Sequence, residues 1–269
     1  MSNDGFVRRV EQGIPLYYCR AFEDIAGLRH GFSTRHGGVS GSLGGSLNLG
    51  HIPWDAAEHV RENRGRFLGA LRIVPARLLT LRQIHSDRIH IIRDIPGHWN
   101  PPEGDALTTD QAAVALGVQT ADCFPVLMAD PETGAIACIH SGWKGTLARL
   151  SRKTVEAMQS AFGGDASKLL VAIGPGIRSC CYEVGEEVAD PYRRAYPGLS
   201  LLQERSLSPG KYLLDLPGAL SAQLAEAGIP AGNVHDLGVC TRCRADEFFS
   251  YRAEGRNAGR MMAVIGRVA

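Results

Sequence analysis

Short apolar runs and helical stripes that follow one another without a regular rhythm constrain this chain most. β-type runs stand at Leu78–Leu81, Ile89–Ile92, Ala113–Leu116, Val126–Ala129 and Ala135–Ile139, then at Leu169–Ile173, Tyr212–Leu214, Val234–Leu237 and Met261–Ile265. Asp55 and Glu58 form a capping pattern ahead of Val60, Phe67, Leu68 and Leu71, so a helix is expected over Asp55–Leu71. A second stripe, Leu147, Leu150, Val155, Met158 and Phe162, predicts a helix opened by Gly145 and ended by Gly163-Gly164. Further helices are expected at Glu186–Tyr196 and Gly218–Ala227. A strict βαβ alternation would build a doubly wound parallel sheet; the mixed order here points to α+β.

At 269 residues, 44% of them hydrophobic, the chain has the material for one large core, and no repeat or linker divides it. A single domain over 1–269 is expected. Lys+Arg 29 against Asp+Glu 28 leaves a formal charge of +1, too little field to hold nucleic acid or an anionic membrane. An anionic ligand must therefore meet a local cluster. The odd count of seven cysteines fits a reducing cytoplasm better than a disulfide framework. No apolar run approaches the roughly 18 residues of a membrane span, and the first twenty residues lack a secretory h-region.

The G-x-G-x-x-G, G-x-x-x-x-G-K-[ST], H-E-x-x-H, G-x-S-x-G and zinc-deaminase H-x-E…P-C-x-x-C patterns are all absent. What remains is polar residues where strands end: His85 after a strand, Cys123 in Thr120-Ala121-Asp122-Cys123, and His140 directly after Ala135–Ile139. Two readings fit them. Two imidazoles and a thiolate make a zinc site with a fourth position open. Alternatively, Cys123 is a nucleophile with His140 as its base, oriented by Asp122 or Asp105. Spacing alone does not separate these from ordinary core residues.

Cys240-Thr-Arg-Cys243 has C-x-x-C spacing, but no second such pair exists to complete a Cys₄ site, and Cys180-Cys181 are adjacent. The expectation is packing for all four, with no second metal and no catalytic disulfide. Ile173-Gly174-Pro175-Gly176-Ile177 fits a turn near a ligand or a plain turn equally well. In the glycine-rich run from Gly37 to Gly50 and just before it, Arg35, the Gly37-Gly38 pair, Ser46 and Asn48 supply phosphate donors, with Arg61 and Arg64 on the following helix.

Taken together, His30-Gly-Phe-Ser-Thr-Arg35, Ser46-Leu-Asn48-Leu, Gln83-Ile-His85-Ser, Gly104-Asp105-Ala-Leu, Ala121-Asp-Cys123-Phe-Pro, His140-Ser-Gly-Trp143-Lys-Gly-Thr, Ile173-Gly-Pro, Cys180-Cys-Tyr-Glu-Val-Gly185, Leu214-Asp-Leu and Phe248-Phe-Ser-Tyr-Arg252 run in one family's order. The chain resembles the YfiH, laccase-domain or peptidoglycan-editing-factor family, some of whose members are described as purine nucleoside phosphorylases. The resemblance covers residue 29 to the C-terminus and leaves 1–28 as an N-terminal extension. It implies an α+β layered sandwich of the αββα type with mixed sheets. It also places the family's zinc ligands on His85, Cys123 and His140, with copper the lesser alternative. A multicopper centre needs more histidines than this cluster offers. Lys144 stands where the family commonly has arginine and lacks its forked guanidinium.

The implied activity is zinc-dependent phosphorolysis of adenosine and inosine, with adenosine deamination as a second reaction because zinc acidifies water. Its partners are purine nucleosides and phosphate. Cys123, His140, Asp105 and Asp122 are the candidate catalytic residues; Arg35, Asn48, Arg64 and Gln83 are the candidates for substrate and phosphate. Three alternatives accompany it: a hydrolase of wrongly made peptidoglycan precursors, a metal-free Cys–His deamidase, and a non-catalytic binding protein.

Overall fold

The computed structural model describes residues 5–41, 45–74, 77–95, 97–204 and 209–268. The apolar runs assemble into two six-stranded mixed sheets. The first has the order β1 (Phe6–Glu11), β2 (Ile14–Cys19), β3 (Leu28–Ser33), β17 (Met261–Arg267), β9 (Val114–Thr120) and β6 (Leu78–Thr80). Only β6 runs parallel to its neighbour. The second has the order β16 (Val234–Asp236), β12 (Leu170–Ile173), β10 (Phe124–Ala129), β11 (Ile136–Ser141), β8 (Ala106–Thr109) and β7 (Ile89–Ile92), with parallel pairs at both edges. Among the described residues, a small sheet of β13 (Glu183–Gly185), β15 (Lys211–Leu214) and β14 (Leu202–Glu204) and a β4 (His36–Gly38)–β5 (Gly45–Ser46) pair complete the strands.

The continuous apolar character of β10 has a simple cause: both its faces are buried. Leu127 and Ala129 pack toward the first sheet, in one core with Leu116, Val118 and Ala263. Phe124, Val126 and Met128 pack the other way, against α4 (Leu150–Phe162), α5 (Glu186–Ala195) and α6 (Leu216–Glu226) through residues such as Val155, Tyr192 and Leu220. Outside the first sheet, Phe67 and Leu68 of α2 (Ala57–Ala70) meet Leu16, Ala115 and Val264. The layers are therefore α, β, β, α, as expected. Each large apolar side chain buried in them contributes about 1.5–3 kcal/mol, which makes the sheets a stiff frame for whatever their ends carry.

Several local expectations change. Asp55 does not cap α2: Ala56 stands at the cap position, while the Asp55 carboxylate accepts from Ser40, Asn48 and His59. The helix expected from Gly145 is two helices, α3 (Trp143–Leu147) and α4, because Arg149 adopts a left-handed φ of 62°. Its guanidinium lies 4.9 Å over the Tyr196 ring and donates to Ala195 O, which holds the break. The N-terminal segment forms β1 and β2 at the edge of the first sheet; β1 escapes sequence reading because it buries only Phe6. Of the glycine-rich run, residues 42–44 lie outside the described residues. Among the described residues no helix is long and apolar enough to cross a membrane.

Candidate active site

The chain passes from the first sheet to the second between β6 and β7 and again between β9 and β10, and both links carry candidate residues. The first link holds His85 and the second holds Asp122 and Cys123. His85 has φ 58° and Asp122 has φ 87°, a left-handed backbone that non-glycine residues adopt only when their surroundings enforce it. At Asp122 the enforcement is complete. One carboxylate oxygen accepts from Thr241 Oγ1 at 2.6 Å, the other from the Arg252 N–H at 2.6 Å, and its carbonyl accepts from the Ile177 N–H at 2.8 Å.

His140 arrives on β11. The antiparallel register pairs Phe124 with Ser141 and Pro125 with His140, so Cys123, one residue before β10, falls beside Gly142. A Cβ at Gly142 would lie 2.8 Å from Cys123 Sγ and 3.3 Å from His85 Cδ2. The glycine of the His-Ser-Gly-Trp motif is thus the space the cluster occupies. Cys123 Sγ and His85 Nε2 are 4.0 Å apart, and the His85 and His140 rings meet edge to face with centroids 4.9 Å apart.

Fully buried Asp105, just ahead of β8, fixes both histidines. Its carboxylate accepts from His140 Nδ1 at 2.8 Å, the His85 N–H at 3.1 Å, the Ser86 N–H at 2.5 Å and Ser86 Oγ at 2.7 Å. Burial alone would raise its pKa, but these donors and the His140 charge hold it at about 2. With Nδ1 engaged, His140 turns Nε2 toward the thiol. Burial likewise pushes the Cys123 thiol up, and the facing His140 imidazolium and the hydrogen bonds of both imidazoles overcome it, bringing the thiol to about 6. The same thiolate and Asp105 outweigh burial at His140 and raise it.

One thiolate and two oriented imidazoles, with ligand atoms all within 4.8 Å of one another, suit a single zinc or copper ion. The carboxylate behind His140 is the partner such ligands commonly have. Above the cluster opens a cavity of about 530 Å³, walled by Leu81, Ile177, Tyr182 and Tyr251, with Gln83, Gln119, Thr120, Arg252 and Arg260 as its polar groups. The Thr120 hydroxyl has no partner among the described residues. Burial pushes the Tyr182 phenol up, so it stays a neutral donor.

The other expected residues fall out differently. Gln83 reaches the cavity, and its amide is spent on β9, donating to Gln119 O at 2.7 Å and accepting from the Gln119 N–H at 2.8 Å. Arg35 is not on the cavity wall: it donates to Ala245 O, pairs with Glu254 at 2.9 Å and stacks 4.5 Å over Phe249. Asn48 is buried, donating to Gly50 O and Asp55, and Arg64 Nε donates to Leu49 O. These residues support Arg260 instead, since Asn48 Oδ1 accepts from the Arg260 N–H at 2.9 Å and Arg260 O accepts from the Leu49 N–H. Gly174 and Gly176 serve packing, because a Cβ there would strike Phe32 and Phe124 at 2.4 and 2.6 Å. Sequence reasoning missed Arg260, for which no motif gave a signal; Tyr182, Tyr251 and Arg252 lay unremarked inside motifs already quoted. The premise about the cysteines also fails, because Cys180 and Cys181 meet Cys240 and Cys243 in space.

A family model described as multi-copper polyphenol oxidoreductase laccase matches residues 29–268. A protein named purine nucleoside phosphorylase from Deinococcus radiodurans is 42% identical over 238 residues, 88% of each chain. One named adenosine deaminase RL5, from an unknown prokaryotic organism, is 36% identical over 88% of this chain and 93% of its own. The crystal structure of YlmD from Geobacillus stearothermophilus superposes with a TM-score of 0.89 at 34% identity, covering 98% of this chain and 100% of that one. Motif order, layered fold and full-length similarity agree, and the chain belongs to the laccase-domain family that this model describes.

Proposed function

We propose that this protein is a metal-dependent purine nucleoside phosphorylase that splits adenosine and inosine with inorganic phosphate and also deaminates adenosine. The observation that carries the reading is a nucleoside-sized cavity with the Cys123–His85–His140 cluster and two arginines on its walls. The names of the relatives support this substrate class. A metal ligand role for Cys123 is favoured over a nucleophile because a nucleophile needs one imidazole, and two converge here. Zinc bound by His85, Cys123 and His140 would supply Lewis acidity and lower the pKa of water.

The chain's own residues do the rest. Tyr182, Tyr251 and Ile177 offer apolar faces to the purine, and Arg252 and Arg260 hold phosphate where the near-neutral chain as a whole cannot. In phosphorolysis a phosphate oxygen bonds to C1′, the C1′–N9 bond breaks and the released base takes up a proton. In deamination water adds at C6 and ammonia leaves. Asp105 and Asp122 orient rather than transfer protons, because every carboxylate oxygen in them already accepts a hydrogen bond. A nucleoside panel run with and without phosphate, with products separated as free base, ribose and ribose phosphate, tests the reading. Ribose phosphate and free base are expected; free ribose, or no consumption of any nucleoside, overturns it.

A further inference from the structure

We propose that Cys180, Cys181, Cys240 and Cys243 bind a second, structural zinc ion that clamps two walls of the cavity together. All four sulfurs lie within 4.8 Å of one another. Cys243 Sγ is 3.5 Å from Cys180 Sγ and 3.4 Å from Cys181 Sγ, although about sixty residues separate them along the chain. These separations exceed the roughly 2.05 Å of a disulfide and approach the spacing of about 3.8 Å between sulfurs that sit about 2.3 Å from one tetrahedral zinc. Cys243 Sγ is nearly equidistant from two thiols, where a disulfide could take only one.

The surroundings are those of ligands rather than of packing. Free cysteines are normally buried apolar groups, yet Cys180 and Cys243 are exposed and Cys181 is half-buried. The Arg244 N–H donates to Cys240 O at 3.0 Å, closing the C-x-x-C segment into a turn. Arg242 donates to Cys181 Sγ at 3.6 Å, a cation where thiolate charge would collect. The two segments already touch through the Gly176–Cys240 bridge and the Thr241 N–H to Gly176 O bond.

A zinc ion here would act on the cavity by position. Tyr182 follows Cys181 directly, and Thr241, between the paired cysteines, donates to Asp122, the left-handed residue beside Cys123. This proposal is independent of the reaction assigned to the cavity.

Zinc content and zinc–sulfur coordination of the full chain, isolated under reductant after growth with zinc, provide the test. Two zinc ions per chain are expected in the wild type, one in Cys240→Ser/Cys243→Ser, one in Cys180→Ser/Cys181→Ser and one in Cys123→Ser. Should the double variants fail to fold, X-ray absorption on the wild type decides: about 2.5 sulfurs per zinc are expected with both sites filled, and about one with the cavity site alone. One zinc per chain with about one sulfur overturns the proposal. So does a disulfide from Cys243 to Cys180 or Cys181 in protein that holds a single zinc.

Discussion

Asp105 accepts the Nδ1 proton of His140 at 2.8 Å and, through its backbone carbonyl, the His140 N–H at 2.7 Å, so one residue sets both the ring and the strand position of its partner. Because the same carboxylate also gathers the His85 and Ser86 N–H groups, the two imidazoles share one anchor.

Asp105→Asn keeps the shape, removes the charge and turns an amide N–H toward groups that are themselves donors. Loss of such a partner commonly costs about 10–100-fold in metal affinity or activity, and a fall of that size is expected in zinc affinity by chelator competition and in kcat/KM. The wild-type carboxyl, held at about 2 against an ordinary 3.8, contributes stability above pH 3.8 that is lost as pH falls toward 2. The variant lacks that acid limb in a denaturation series.

Metal-free protein should expose Cys123 as an unusually acidic thiol. Its alkylation by iodoacetamide, followed by mass spectrometry, is expected to rise through about pH 6 and level off, where an ordinary thiol climbs to 9.0. In His140→Ala burial is no longer opposed by the imidazolium, and the midpoint moves upward. Zinc-loaded protein resists the reagent. Equal rates with and without metal would remove Cys123 from the ligand set.

Gly142→Ala suits the backbone, with φ −85° and ψ −179°, but its methyl needs the space of Cys123 Sγ. Overpacking of this kind costs about 1–3 kcal/mol. A folded protein with a modestly lowered Tm and a large loss of zinc is the expected result, read by calorimetry and metal analysis. Retention of full zinc content would show that the cluster can shift aside.

Arg260→Ala is expected to raise the KM for phosphate by about one to two orders of magnitude, the value of a charge-assisted contact of about 1.5–3 kcal/mol. Adenosine deamination without phosphate should largely survive. Arg35→Ala should leave the phosphate KM within about twofold and lower Tm instead, since its contacts are Glu254, Ala245 O and the Phe249 ring. Initial rates against phosphate concentration for both variants distinguish these roles.

Much was legible in the sequence because local chemistry carries it. Strands buried on both faces announce themselves as unbroken apolar runs, so β10, β11 and β12 fall within two residues of expectation. His85, Cys123 and His140 stood out as polar residues at the ends of such runs, and the family resemblance made them a set. Edge strand β1 stayed hidden, since a strand exposed along most of its length has no reason to be apolar.

What the tertiary structure alone decided is who meets whom. Arg260 reaches the cavity because β17 lies between β3 and β9, and Arg35, which has equally good chemistry for phosphate, is turned to Phe249 and Glu254. Cys180–Cys181 and Cys240–Cys243 become one cluster because the chain after β12 and the chain after β16 leave neighbouring parallel strands at the same end. Residue type and local periodicity fix which groups are available. Which of them share a site follows from sheet order and register, set by contacts between segments far apart in the chain, and no local pattern records it.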